Sequence, residues 1–218
     1  PKRIVTIGWS GEDAVLALGT VPVGMTEYKF FPSGIFPWNE TAIGDERPAL
    51  LSDSSIDFEA VAALRPDLIL GIYSGIDEVS YKRFSTIAPT VVYRSGPWAA
   101  DWREVTSLTG LALGVPDRAQ QLLQDTDALL RTLGEDHPVL QGKTFTFGTF
   151  FPGSNGLVVY LPNDPRVAAL VNLGLKPSSG VERLAKDNPT EASVSVSLEQ
   201  IGEVDADILV MWYRDGAR

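Results

Sequence analysis

The sequence contains no cysteine. Disulfides, thiolate nucleophiles and cysteine-ligated metal sites are therefore excluded. Histidine is almost as scarce, with His137 alone, so no histidine cluster can bind a bare transition metal. Long hydrophobic runs are missing too, and nothing approaches the roughly 20 apolar residues that cross a bilayer. Positive charge is in deficit: 18 Lys and Arg face 28 Asp and Glu, a net charge of −10. That balance repels phosphate backbones and argues against nucleic acid as a partner, while leaving room for a local cationic pocket. What is present is a chain of 218 residues, 44% hydrophobic, enough to bury the cores of one or two domains. It opens at Pro1, and any targeting segment is expected upstream of that residue.

An internal repeat sets the architecture. "DFEAVAALRPDLILGIY" (residues 57–73) aligns without a gap on "SLEQIGEVDADILVMWY" (residues 197–213). Glu59 meets Glu199, Asp67 meets Asp207 and Tyr73 meets Tyr213, and the apolar positions coincide. Each copy reads as a short amphipathic helix and then a buried strand: Phe58, Val61 and Ala62 fall on one helical face, with Asp57 as N-cap. Pro66 ends that helix by disfavouring the helical conformation at Arg65. Upstream, "RIVTIG" resembles "KTFTFG", and "LGTVP" resembles "LGLKP". Each half thus reads strand, helix, Leu-Gly turn, loop, helix, strand.

The fold class expected is α/β, two similar lobes with mainly parallel sheets joined by one long rigid helix. That helix is "PDRAQQLLQDTDALLRTLGEDHP", where Leu122, Leu123, Leu129, Leu130 and Leu133 keep helical period and Asp117 can cap. The expected boundaries are 1–114 for the N-terminal lobe, 115–140 for the linking helix and 141–218 for the C-terminal lobe. The first half continues past Tyr73 into "DEVSYKRFSTIAPTVVYR", another helix and strand, whereas the second half stops at Arg218. The C-terminal lobe is accordingly expected to be incomplete, lacking at least one helix and strand.

The stretches "PKRIVTIG…EDAVLALG…PVGM", "IDFEAVAALRPDLILG", "YKRFSTIAPTVVY" and "DADILVM" resemble the siderophore-binding lipoproteins of iron-uptake ABC transporters, periplasmic binding proteins with a helical backbone. "GIFPWNE" and "GPWAADWR" look most like the actinobacterial branch. The resemblance covers essentially the whole chain. It implies two α/β lobes, a ligand held in the cleft between them, a monomer, an extracytoplasmic location with a lipid tether upstream of Pro1, and no catalysis. It also implies that Asp77 and Glu78 dock against arginines of the membrane permease; their plainer role is to open a helix whose dipole favours carboxylates.

The turn "TIGWSGEDAVLALG" tests the rival readings. A hydrolase elbow needs Gly-x-Ser-x-Gly, and Glu12 stands at the second glycine position, so Ser10 as nucleophile is a remote alternative. A dinucleotide loop needs Gly-x-Gly-x-x-Gly, which is absent. Within the resemblance the turn is a binding wall, with Trp9 facing the ligand and Ser10 capping the next helix.

Strand ends supply the remaining candidates. From the first half come Trp9, Tyr73, Ser74 and Arg94; from the second come Phe150, Phe151, Trp212, Tyr213 and Arg214. The loop "TEYKFFPSGIFPWNE" adds Tyr28, Lys29 and Trp38 as a flap. Aromatic rings suit the apolar rim of a ferric siderophore, and Arg offers planar donors to its oxygens. The iron arrives already chelated, so no cofactor and no protein metal ligand are expected. Core packing is the competing role for Tyr73, Phe150 and Phe151, and Asp215 is a competing partner for Arg214. Trp98 and Trp102 are expected to pack their own segment against a lobe. Haem or a corrinoid in the same cleft is the neighbouring alternative.

Overall fold

A short run such as Leu68–Gly71, apolar at every position, is expected to be a strand covered on both faces. In the computed structural model, which describes residues 1–53, 55–151 and 153–212, that is its place. The chain divides into two units, residues 1–124 and 125–218.

The first unit alternates strand and helix: β1 (Ile4–Thr6), α1 (Gly11–Ala17), β2 (Gly24–Thr26), α2 (Pro37–Ile43), β3 (Ala49–Leu51), α3 (Phe58–Ala63), β4 (Leu68–Gly71), α4 (Glu78–Ser85), β5 (Thr90–Val92) and α5 (Trp102–Leu113). The sheet order is β3-β2-β1-β4-β5 and every pairing is parallel. Alternation along β1 and β4 feeds two cores. Ile4, Leu68 and Leu70 pack with Val15 of α1 and Leu108 of α5. Val5 and Ile69 pack with Val61 of α3 and Phe84 of α4 on the other face. Asp57 caps α3 by accepting from the Ala60 N–H, and Arg65, just before Pro66, takes a positive φ of 47°.

Helix α6 (Pro116–Asp136) follows, with Asp117 inside its first turn. Ala119 is buried, whereas Leu129 and Leu133 are exposed.

The second unit departs from the expected pattern. Its elements are β6 (Thr144–Thr149), β7 (Gly156–Tyr160), α7 (Pro165–Asn172), β8 (Lys176–Pro177), α8 (Ser179–Asp187), β9 (Ser193–Ser197), a 3₁₀ helix (Leu198–Val204) and β10 (Ile208–Met211). A strand, not a helix, follows β6, and β7 pairs antiparallel with both β6 and β9. The sheet is therefore mixed: only β10 and β8 run parallel to β6. The return passes through Gly153, at a φ of 80°, and Ser154, whose N–H donates to the Phe151 carbonyl, ahead of the apolar Leu-Val-Val-Tyr of β7.

The repeat survives in the pairing of its first and last strands. β1 lies parallel to β4, and β6 parallel to β10. The aligned aspartates do the same job in each unit. Asp67 accepts from the backbone N–H groups of Lys2 and Arg3 at the entry to β1. Asp207 accepts from the Thr144 N–H and hydroxyl at the entry to β6, with Lys143 Nζ at 3.1 Å. Register differs by one residue, since Ile4 faces Leu68 while Phe145, not Thr144, faces Ile208. No element follows β10 among the described residues, and Leu209 is 57% exposed where its counterpart Ile69 is fully buried.

Both carboxyls are held below the usual range. At Asp67 burial alone would raise the value, but the N–H bonds from Lys2 and Arg3 outweigh it. At Asp207 the Thr144 N–H and hydroxyl and the Lys143 ammonium bring it to about 2. A carboxyl depressed in the folded state adds stability above its unfolded value, and that contribution disappears as pH falls from about 4 to about 2. Asp207→Asn should flatten this acid limb: thermal midpoints of the variant and the wild type should converge as pH drops through the window. An unchanged separation between them would refute the assignment.

Candidate ligand-binding site

In the first sheet the chain moves outward from β1 to β2 and β3, then returns to lay β4 and β5 on the other side. The loops leaving β1 and β4 therefore diverge, and the carboxyl-end crevice of an open parallel sheet opens at such a point. The turn after β1 carries Gly8, Trp9 and Ser10; the turn after β4 carries Tyr73 and Ser74.

These turns are joined by backbone contact. The Trp9 N–H donates to the Tyr73 carbonyl at 3.0 Å. Gly8 makes the approach feasible, because a Cβ there would lie 2.3 Å from the Tyr73 oxygen, and its φ is 104°. The Thr26 hydroxyl holds the Gly8 carbonyl at 2.7 Å, and the Tyr28 hydroxyl accepts from the Ser10 N–H at 2.8 Å. Ser10 sits in the left-handed region at φ 54° and its side chain makes no cap bond, so the expected capping role is not found.

Rings gather around the turn. Trp9 stacks on Phe30 at 5.9 Å and meets Tyr28 and Phe36 edge-on at 5.2 and 5.7 Å. Tyr73 meets Trp98 edge-on at 5.5 Å, and Trp98 lies across Gly75, where a Cβ would be 2.5 Å from its indole nitrogen. Trp9 and Tyr73 are half-buried. Phe30, Phe36 and Trp98 are members that sequence reading missed. For Trp98 the available signal was Gly75, a residue without a side chain directly after the β4 turn.

Other candidates fall differently. Ser74 is buried, and its hydroxyl is used within its own turn, donating to the Gly71 carbonyl at 2.6 Å, so it presents no ligand surface. Tyr28 is fully buried and forms a floor, not a flap. Trp38 is 61% exposed on α2, stacked on Phe36, with its indole N–H on Asp13 at 3.4 Å. Lys29 is exposed, with Glu27 at 3.9 Å. Arg94 is exposed, and its backbone N–H is bound by Glu104. Burial would raise the Glu104 carboxyl, but the N–H groups of Arg94 and Ser95 outweigh it and hold it low. Asp77 caps α4 through the Ser80 N–H, and Glu78 pairs with Lys82 at 2.6 Å; both carboxylates stay exposed.

In the second unit Phe150 and Phe151 are 43% and 46% exposed, so neither is a core residue. Phe151 meets Trp212 edge-on at 5.8 Å, and the Trp212 indole N–H donates to the Tyr160 hydroxyl at 3.1 Å. Arg166 lies over the Tyr160 ring at 3.9 Å, clamped by Asp164 through two bonds. Tyr213 and Arg214 lie outside the described residues. His137 is exposed, its ring bonded to the Leu133 carbonyl. Among the described residues no group of three or more His, Asp or Glu could hold a metal ion, and no helix is long and apolar enough to cross a membrane.

The turn depends on Gly8. Gly8→Ala adds a backbone clash to a conformation that alone costs about 1–3 kcal/mol. Gly114→Ala, at φ 77° with nothing within 4 Å, carries only the conformational cost. In urea unfolding Gly8→Ala should therefore lose clearly more stability than Gly114→Ala. Equal losses would show that the Gly8–Tyr73 contact is not a constraint.

Comparison with known proteins identifies the family. The chain is 30% identical to the probable siderophore-binding lipoprotein YfiY of Bacillus subtilis, over 96% of its own length and 62% of the relative's. It is 26% identical to the Fe(3+)-citrate-binding protein YfmC of the same organism, over 99% of its length and 64% of the relative's. It thus spans somewhat less than two thirds of the curated relatives it matches. PiaA of Streptococcus pneumoniae, solved with ferrichrome, superposes with a TM-score of 0.86 at 30% identity, covering 98% of this chain and 74% of PiaA. Residues 4–216 match the periplasmic binding protein family as a whole. With that match across nearly its full length, the chain belongs to the periplasmic binding protein family.

Proposed function

We propose that the protein captures a ferric siderophore outside the cytoplasm and hands it to an ABC permease, without making or breaking a bond. The observation that carries this reading is the gathering of Trp9, Tyr73 and Trp98 where the β1 and β4 turns meet, at the carboxyl end of the sheet and its change of strand direction. Rings of this kind cover an apolar rim at low entropic cost, and the exposed Arg94 supplies donors to chelate oxygens. YfiY and PiaA, both 30% identical over nearly the whole chain, are named or solved as siderophore binders. Phe150 and Trp212 are the contribution proposed for the C-terminal lobe. We keep residues 1–114 and 141–218 as the two lobes and 115–140 as their connection, with the protein a monomer, lipid-tethered upstream.

Asp77 and Glu78 are proposed for permease docking. The Glu78 carboxylate is 78% exposed even while paired with Lys82. An exposed pair of this sort is worth little, so it can exchange its lysine for a permease arginine at small cost.

Tryptophan quenching by a panel of ferric hydroxamate, catecholate and carboxylate siderophores tests the assignment. Trp9→Ala and Arg94→Ala should each weaken binding at least about tenfold if they touch the ligand. Quenching by haem with a Soret change, and by no ferric siderophore, would replace the assignment with the haem reading.

A further inference from the structure

Glu12 has no part in the binding wall, yet it is fully buried directly beneath it. Its Oε2 accepts from the Tyr28 hydroxyl at 3.3 Å, and its Oε1 has no hydrogen-bond partner. Tyr28, also fully buried, accepts with the same hydroxyl from the Ser10 N–H. A single chain of bonds therefore runs from the Glu12 carboxyl through Tyr28 to the left-handed turn that carries Trp9. Tyr28, Phe30 and Phe36 pack against Trp9 and against one another.

We infer that Glu12 is a positioning residue, whose protonated form holds the Ser10 turn, and with it Trp9, in the binding arrangement. A buried carboxylate needs a cation or several donors to stay charged. Among the described residues no cation pairs with Glu12. The groups facing it are Tyr28 from the segment after β2 and, on its own helix, Asp13. Asp13 is itself bound by Asn39 and Trp38 of α2. Burial pushes the Glu12 carboxyl up to about 7, against the backbone N–H at the start of α1; Asp13 adds to the rise and the Tyr28 hydroxyl opposes it. Burial raises the Tyr28 hydroxyl as well, so it remains a donor throughout. A carboxyl raised in the folded state is neutral below its shifted value and charged above it. Above neutrality the ionised carboxylate keeps the Tyr28 hydroxyl as donor but leaves its buried Oε1 without one. The start of α1 must then shift to bring a donor or water to that oxygen, and the turn tied to Glu12 through Tyr28 shifts with it.

Trp9 itself provides the readout, before any ligand is added. The difference in emission between wild type and Trp9→Phe should titrate between about pH 6 and pH 8, with a one-proton transition. Glu12→Gln, neutral and of the same shape, should flatten it. Tyr28→Phe should flatten it too, by cutting the link while Glu12 still ionises. Glu12→Asp, which restores a carboxyl, should restore a titration with a displaced midpoint. A wild-type signal that is flat, or one that persists unchanged in Glu12→Gln or Tyr28→Phe, overturns the inference. The consequence for binding rests on the reading that Trp9 touches the siderophore. Under it, affinity at pH 8 should be about tenfold below that at pH 6, because only the protonated fraction is competent, and Glu12→Gln should abolish the difference. Quenching by no siderophore at either pH would sink the functional reading and leave the Trp9 titration to judge Glu12.

Discussion

One contact orders the first unit around its crevice: the β1 exit turn pressed against the Tyr73 carbonyl at a residue that has no Cβ. A parallel sheet leaves its carboxyl edge open, and loops leaving in opposite directions tend to splay. Gly8 lets two of them touch. Once the Trp9 N–H has met the Tyr73 oxygen, Trp9 has one place to go, against the rings carried by the segment after β2. Tyr73 likewise has Trp98 beside it, laid over a second glycine. The wall follows from two missing side chains as much as from the aromatic ones present.

Much of this was legible in the sequence, for reasons that can be named. Leu68-Ile69-Leu70 had to be a doubly covered strand, and its match to Ile208-Leu209-Val210 located the counterpart in the second unit. The aspartates preceding these strands turned out to share a function, fixing the N–H groups that enter β1 and β6. The β6–β7 return was lost because a repeat argument transfers the first copy's order onto the second. The Gly153-Ser154-Asn155 stretch ahead of β7 was a local turn signal that the repeat overrode. Ser10 and Ser74 misled for a different reason: hydroxyls at turns commonly bond their own backbone, as Ser74 does, and Ser10's left-handed φ removes it from capping geometry. Tyr28 reads as a flap residue only as part of its loop, whereas its hydroxyl bonds the buried Glu12 and the half-buried Ser10 turn, partners that only the fold brings near.

The two units solve the same problem with different amounts of covering. In the first, β5 lies beside β4, and Phe84 of α4 and Val92 of β5 join the cluster around Ile69. In the second, the equivalent Leu209 has no such cover among the described residues, and the sheet instead extends on its other side through an antiparallel hairpin. Rings and an arginine recur even so: Trp212 is fixed through Tyr160, and Arg166 lies on that same ring.

On the proposed reading, the treatment of acidic groups near the first crevice also finds a reason. Ferric ion is a hard cation that prefers oxygen ligands, so loose carboxylates beside a chelate would compete with it for the metal. The chain is acidic overall, yet three carboxylates of this unit are held by N–H donors. Asp13 is bound by Asn39 and Trp38, Glu104 by the Arg94 and Ser95 N–H groups, and Asp77 by the Ser80 N–H. Glu12 is buried outright beneath rings that cannot ligate iron. What this face presents instead is π-surface and the exposed Arg94, which grip a chelate from outside while leaving its inner sphere intact. A protein that delivers a ligand unchanged has to bind it this way, because any stronger claim on the iron would hold back the cargo it is meant to release.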